Sequence, residues 1–149
     1  MSERNIGYNN KNVKNQSVKR KYDVFVVDDN FDQASIMKLL IEQYGFRTKF
    51  TTRSKTAYQT IAKYKPRLVI LDLMMPDIDG LHLCKLIKEN PHTAQVKILI
   101  YSGKLYDSDK RKAKAVGADL FLTKPTKSQI LIDSIRRLLN PRADEILQN

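Results

Sequence analysis

RLVILDLMMP, residues 67–76, is the stretch of sequence that decides the fold. Its centre is an uninterrupted apolar run, residues 68–71, which ends on one acidic residue, Asp72. A short apolar run that contains β-branched residues and ends in polar ones is typical of a strand buried on both faces. Residues 24–27 repeat the pattern and end on two consecutive aspartates. The two stretches therefore predict two buried strands that each lead into carboxylates.

Helical patterns separate these strands from each other and from three further ones. The predicted strands cover residues 24–27, 46–51, 68–71, 96–101 and 119–122. The first predicted helix lies between Asn30 and Gly45, and the second starts at a Ser54 cap and stops before Pro66. The third runs from Leu81 to about Lys88, the fourth starts at Asp107 or Ser108 and stops at Gly117, and the fifth stops before Pro141. Alternating strands and helices predict parallel βαβ units. We therefore expect an α/β fold, a flavodoxin-like doubly wound sheet of five strands in the order 2-1-3-4-5 with helices on both faces.

Length and composition place the chain among ordinary single domains. It has 149 residues, of which 42% are hydrophobic, so it can bury a core. No apolar run approaches the roughly 20 residues of a membrane helix, and the N-terminus does not resemble a signal peptide. The one cysteine, Cys84, lies among leucines and isoleucine, which favours a core position over a reactive thiol. These features predict a cytoplasmic protein.

The formal net charge of +11 is distributed unevenly. Residues 1–21 hold six Lys and Arg against one Glu, whereas the rest of the chain holds 21 Lys and Arg and 15 Asp and Glu. Residues 1–21 are also rich in Asn and poor in apolar residues, which predicts a disordered basic arm. The expected organisation is therefore this arm, a domain over residues 22–140, and a short tail or the start of a linker over residues 141–149.

The predicted sheet brings polar residues together at one edge. Ligands of open α/β sheets bind beyond the carboxyl ends of the strands, at the point where the strand order reverses. The residues that follow strands 1, 3, 4 and 5 there are Asp28, Asp29, Asp72, Ser102 and Lys124. Three crowded carboxylates repel one another unless a cation lies between them, and hard oxygen ligands suit Mg²⁺. A lysine and a hydroxyl beside a carboxylate suit an anion, so the set predicts phosphoryl transfer.

These residues resemble the receiver domains of bacterial response regulators over residues 22–140. The similarity rests on Asp28-Asp29 after strand 1, on LDLMMP at residues 71–76 with Asp79-Gly80, on Ser102, and on Lys124-Pro125 after strand 5. It implies a phosphoprotein of two-component signalling, phosphorylated with Mg²⁺ by a histidine kinase or a histidine phosphotransfer protein. Such a domain catalyses its own phosphorylation and dephosphorylation and is not otherwise an enzyme.

The resemblance also implies a role for each matching residue. Asp72 is the expected phosphoacceptor, and Lys124, before an expected cis bond to Pro125, neutralises a phosphoryl oxygen. Asp29 and the backbone carbonyl of Met74 are expected to bind the ion with Asp72, and Asp28 to act through water.

Ser102 is the expected hydroxyl that closes onto the phosphoryl group, with help from the Gly103 amide. Phe121 is the aromatic residue that turns inward with it. The signal is then expected to reach an unknown downstream protein through the face formed by helix 4, strand 5 and helix 5. The basic residues of helix 4, Lys110, Arg111 and Lys114, are our candidates for contact with an acidic partner.

Other interpretations stay open at this point. Asp28 to Asn30 could cap the first helix, Phe121 could be an ordinary core residue, and Asp77 and Asp79 are expected to be exposed turn residues. An aspartyl-phosphate hydrolase requires a second aspartate where Met74 stands. A basic nucleic-acid-binding module rests on charge alone, so nucleic-acid binding is not expected of this domain.

Overall fold

The computed structural model describes residues 20–75, 79–103 and 105–141. Within them the strands are β1 (Val24–Val27), β2 (Thr48–Thr51), β3 (Leu68–Leu71), β4 (Lys97–Ser102) and β5 (Leu120–Thr123). The helices are α1 (Phe31–Gln43), α2 (Ser54–Tyr64), α3 (Gly80–Glu89), α4 (Asp107–Ala115) and α5 (Ser128–Leu139). Residues 1–19 of the predicted arm, Pro76 to Ile78 of the predicted turn, and residues 142–149 of the tail lie outside the described residues.

The strands form one parallel sheet in the order β2-β1-β3-β4-β5, as predicted. The register pairs Val27 with Leu71 across β1 and β3, and Leu71 with Ile100 across β3 and β4. Because both β1 and β3 are fully buried, their apolar runs lack the alternation of a half-exposed strand. The carboxyl ends of the strands consequently meet at one edge.

Two apolar cores lie on opposite faces of the sheet, since successive side chains of a strand point to opposite sides. On one face, Phe25 and Val27 pack with residues of α2, α3 and α4. On the other, Val24 and Val26 pack with residues of α1 and α5. The sheet is therefore held rigidly from both sides, and this fixes the positions of the strand ends.

Helix ends follow the predicted chemistry with one exception. The side chain of Asn30 accepts a hydrogen bond from the Gln33 amide and caps α1, and Gly45 follows that helix with a φ of 90°. Ser54 was expected to cap α2, and that prediction is wrong. Ser54 is the first residue of α2, it is buried, and the preceding Arg53 gives no side-chain cap. Burial of this small side chain takes the place of capping.

Other boundaries differ by small amounts. Strand β2 begins at Thr48 rather than Phe46, and α3 begins at Gly80. Helix α4 has only one buried residue, Ala113, so little apolar surface attaches it to the sheet. Among the helices of the described residues, none combines the length and the apolar character that a membrane span requires.

Candidate functional site

The sheet register places the predicted acidic and hydroxyl residues side by side. Asp28 and Asp72 each follow directly on a pair of residues matched across β1 and β3, and the Asp72 amide donates to the Val27 carbonyl. Ser102 ends β4, and its carbonyl accepts from the Lys124 amide just beyond β5. The fold therefore brings together residues that lie up to 96 positions apart in the sequence.

Asp72 is buried and is held by three donors. Its Oδ1 accepts from the Ser102 hydroxyl at 2.8 Å and from the Met74 amide at 2.9 Å. Its Oδ2 accepts from Lys124 Nζ at 3.3 Å. Ser102 is itself fully buried, so its hydroxyl depends on this partner. The carboxylate is thus fixed in orientation at the end of β3.

Lys124 connects the two buried aspartates. Its Nζ donates to Asp28 Oδ2 at 2.7 Å as well as to Asp72, and the peptide bond to Pro125 is cis, as expected. Burial lowers the pKa of Lys124, but the hydrogen bond with Asp28 and the charges of Asp72 and Asp28 outweigh it and raise that pKa above its ordinary value. The lysine is therefore held as a cation.

Asp29 completes an acidic cluster with Asp28 and Asp72. One carboxylate oxygen from each of the three lies within 4.8 Å of the others. Asp29 is exposed, whereas Asp28 is buried and already accepts from Lys124 and from the Asn30 amide. Desolvation raises the pKa of Asp29, and the charges of Asp28 and Asp72 raise it further. Such a set of oxygen donors fits a hard divalent cation.

Gly80, the first residue of α3, packs directly on the phosphoacceptor candidate. A Cβ at this position would lie 2.8 Å from the backbone oxygen of Asp72 and 2.8 Å from the Cα of Leu73. Only glycine permits so close an approach. Asp79 is exposed and caps the same helix through the Leu81 amide, which confirms its expected turn role.

The remaining predicted residues are also near the sheet edge or the core. The side chain of Met74 is exposed, so the structure gives it no packing role. Phe121 is half-buried, pairs in register with Ile100, and packs on the core formed with α2, α3 and α4. Cys84 is fully buried, and burial raises the pKa of its thiol to about 11, in agreement with its predicted core role.

Two further residues beside Lys124 escaped the sequence reasoning. Gln33 Oε1 accepts from Lys124 Nζ at 3.0 Å, and that ammonium lies 5.4 Å from the centre of the Tyr101 ring. The Tyr101 hydroxyl also accepts from the Thr126 amide. Because Tyr101 directly precedes Ser102 in the sequence, its place near the site could have been predicted. Gln33 offered none, because its side chain meets Lys124 only after α1 packs on the sheet.

Comparison with known proteins agrees with this geometry. Residues 24–136 match the family described as the response regulator receiver domain. The chain is 32% identical over 127 residues to a probable cyclic di-GMP phosphodiesterase of Vibrio cholerae, covering 85% of this chain but 29% of that protein. It is 31% identical to protein PilG of Pseudomonas aeruginosa, covering 76% of this chain and 84% of that protein. The chain thus spans less than a third of the first of these relatives.

Solved structures show the same fold. A putative response regulator from Chloroflexus aurantiacus superposes with a TM-score of 0.74 at 28% identity, covering 80% of this chain and 98% of that one. Chemotaxis protein CheY4 of Vibrio cholerae gives a TM-score of 0.74 at 23% identity, covering 78% and 97%. These comparisons give no support to the nucleic-acid-binding module or to the hydrolase. The chain belongs to the response regulator receiver domain family, the phosphoacceptor domains of two-component signalling.

Proposed function

We propose that Asp72 is the residue that accepts the phosphoryl group from a histidine kinase or a histidine phosphotransfer protein. The observation that carries the proposal is the convergence of a lysine, a hydroxyl and two other aspartates on the buried Asp72 carboxylate. An oxygen of Asp72 attacks the phosphorus of a phosphohistidine, an O–P bond forms, and the donor's P–N bond breaks. A carboxylate is already ionised at neutral pH, so the attack needs no general base.

The residues around Asp72 have separate tasks in this transfer. Mg²⁺ would be held by Asp29, Asp72 and the Met74 carbonyl. Asp28 would act on the ion through water, because its oxygens already accept hydrogen bonds from Lys124 and from the Asn30 amide. Mg²⁺ bound there would supply positive charge for the carboxylates and the incoming phosphoryl oxygens. Lys124, 3.3 Å from Asp72, would neutralise a further phosphoryl oxygen. The domain catalyses only its own phosphorylation and dephosphorylation.

Ser102 would convert phosphorylation into a conformational change. Its hydroxyl donates to Asp72 in the unmodified protein, and the phosphoryl group offers it a different acceptor. Phe121 lies one strand away and is only half-buried, so it can follow Ser102 inward. Helix α4, in which Ala113 is the one buried residue, has little apolar surface to resist such a shift. The face of α4, β5 and α5 would then bind the downstream protein, with Lys110, Arg111 and Lys114 meeting acidic groups.

The phosphodonor would approach over α1 and α5, beside Lys124. A hollow there is lined by apolar side chains of both helices and by Pro125, and Ile36 in its lining is exposed by 65%. Its continuity with the Lys124 end of the site fits a protein that must place a phosphohistidine against Asp72. Ile36→Asp should leave phosphorylation by acetyl phosphate unchanged and slow transfer from the phosphorylated kinase; equal rates from the kinase would disprove this docking role.

The proposal is tested by labelling the protein, which we expect to work in the cytoplasm, with radioactive acetyl phosphate and Mg²⁺. The unmodified chain should take up label, and Asp72→Asn should take up none. Asp79→Asn is the matched control, since Asp79 lies nearby but is exposed and caps α3. Labelling of Asp72→Asn at the rate of the control would refute the assignment.

A further inference from the structure

The edge of the sheet opposite Asp72 is basic. Arg47 and Arg67 directly precede β2 and β3, and Lys97 begins β4 beside them in the register. The two arginines lie 3.4 Å and 3.9 Å from the buried Asp23 and share its charge. The amino ends of the strands therefore present an excess of cations before the neighbouring loops are considered.

A hollow of about 580 Å³ opens next to this edge, between the segment before β1, the end of α2 and the loop after α3. Its lining residues are Arg20, Lys21, Lys63, Tyr64, Lys65, Pro91, His92 and Gln95. No carboxylate is among them, and none of these cations forms an ion pair within the part of the chain that the structure describes. The volume lies in the range of about 300–1,000 Å³ that is usual for small-ligand pockets.

Two tyrosines organise the lysines around the hollow. Tyr22 and Tyr64 pack edge to face with ring centres 5.2 Å apart. The ammonium groups of Lys21, Lys49 and Lys63 lie 5.5, 5.7 and 5.1 Å from the centre of the Tyr64 ring. Cation–π attraction offsets part of the repulsion between them and keeps three like charges at one ring. The C-terminus of α2 by itself favours Lys63 there, but it does not account for lysines that arrive from β2 and from the segment before β1.

Lys65 adds a backbone feature at the same place. It has a φ of 45° and a ψ of 61°, the left-handed region that non-glycine residues seldom adopt. Its amide closes α2 by donating to the Ile61 carbonyl, a task that glycine performs without the steric cost. A cationic residue, Lys65, thus stands on the rim of the hollow at a position whose backbone conformation favours glycine.

We propose that this hollow binds a small soluble anion that carries several adjacent phosphate groups. Several ammonium groups around one hollow without carboxylates favour a compact partner of multiple negative charge, just as crowded carboxylates favour a cation. Linked phosphates supply that charge and many hydrogen-bond acceptors within the volume of the hollow. Lys21 and Lys63 already lie against the Tyr64 ring, so recognition rests on the phosphates and leaves the ring to position these two lysines. This site is independent of Asp72.

The test is a titration of the full chain with inorganic tripolyphosphate at physiological salt, followed by calorimetry and by amide NMR spectra. Amide shifts should concentrate at residues 20–22, 63–65 and 92–95. The double variant Lys63→Gln/Lys65→Gln should bind at least about tenfold more weakly, a change of about 1.4 kcal/mol. Lys55→Gln/Lys112→Gln is the matched control: it removes the same charge from two exposed helix lysines remote from the lining residues and should bind as the parent does.

Two further probes decide what is recognised. Tyr64→Leu should weaken binding of tripolyphosphate while all lysines remain, because the ring no longer positions them. A nucleoside triphosphate should bind about as tightly as tripolyphosphate. The proposal is overturned if the control double variant loses as much affinity as the test variant, if tripolyphosphate does not bind at millimolar concentration, or if only a long nucleic acid binds.

Discussion

The two edges of the sheet each bring like charges together, but they differ in how far those charges are buried and paired. At the carboxyl edge, Asp28 and Asp72 are short side chains on strand ends, both buried, and Lys124 donates to both. At the amino edge, the exposed Lys63 and Lys65 lie on a helix end and in a loop, with no carboxylate partner among the described residues. A preorganised acidic site suits chemistry at one defined atom, whereas exposed cations around a hollow suit the binding of a small anion with several phosphate groups.

The largest effect is expected for Mg²⁺ affinity. Asp29 is exposed and its pKa is raised by desolvation and by its acidic neighbours, so a cation gains most from its charge. Asp29→Ala should weaken Mg²⁺ binding more than about 100-fold, and Asp28→Ala only about tenfold, because groups behind the ligands contribute less than ligands. Binding curves from a fluorescence or NMR titration measure both. The reverse order of the two variants would show that Asp28 is the direct ligand.

Stability should respond more to a lysine of the acidic edge than to one of the basic edge. Lys124→Met removes the cation that two buried carboxylates share and should lower the free energy of unfolding in the absence of divalent ions by about 2 kcal/mol. Lys63→Met should stay within about 0.5 kcal/mol of the parent, as for most exposed positions. Urea unfolding measures both variants. Equal effects would mean that the acidic edge is no more preorganised than the basic edge.

Glycine substitutions test how tightly the acidic edge is packed. Gly80→Ala places a Cβ 2.8 Å from the backbone of Asp72 and should cost about 1–3 kcal/mol, as overpacking does elsewhere. It should also slow phosphorylation, because the backbone of Asp72 has to move. Gly103→Ala is the control, since its Cβ meets nothing within 4 Å. Thermal unfolding and labelling rates measure both variants. Equal stability and equal labelling rates of the two variants would contradict tight packing at the acidic edge.

The smallest effect is expected at the basic edge. Lys65→Gly relieves the left-handed strain of Lys65 and adds freedom to the unfolded chain, so the net gain in stability should be about 0.5 kcal/mol. The same substitution should weaken tripolyphosphate binding. A variant that is less stable than the parent by a similar amount, measured by urea unfolding, would show that Lys65 contributes a contact that its conformation does not reveal.

The sequence predicted the acidic edge far better than the basic one. Asp28, Asp72 and Ser102 stand at the ends of apolar runs, and a parallel sheet has to bring such ends together. Lys21, Lys63 and His92 have no common spacing, because their hollow forms between the segment before β1, the end of α2 and the loop after α3. Gln33 was missed for the same reason. The Ser54 cap failed because Ser54 is buried as the first residue of α2 and does not precede the helix.

The central claim is that the phosphoryl group is carried by Asp72, and mapping the modified residue tests it most directly. The protein would be phosphorylated with acetyl phosphate in Mg²⁺ and in excess chelator, trapped, digested, and analysed by mass spectrometry. The account predicts one modified residue, Asp72, in Mg²⁺ and very little in chelator. Modification at Asp28 or Asp29, or at Asp72 to the same extent in chelator, would contradict it.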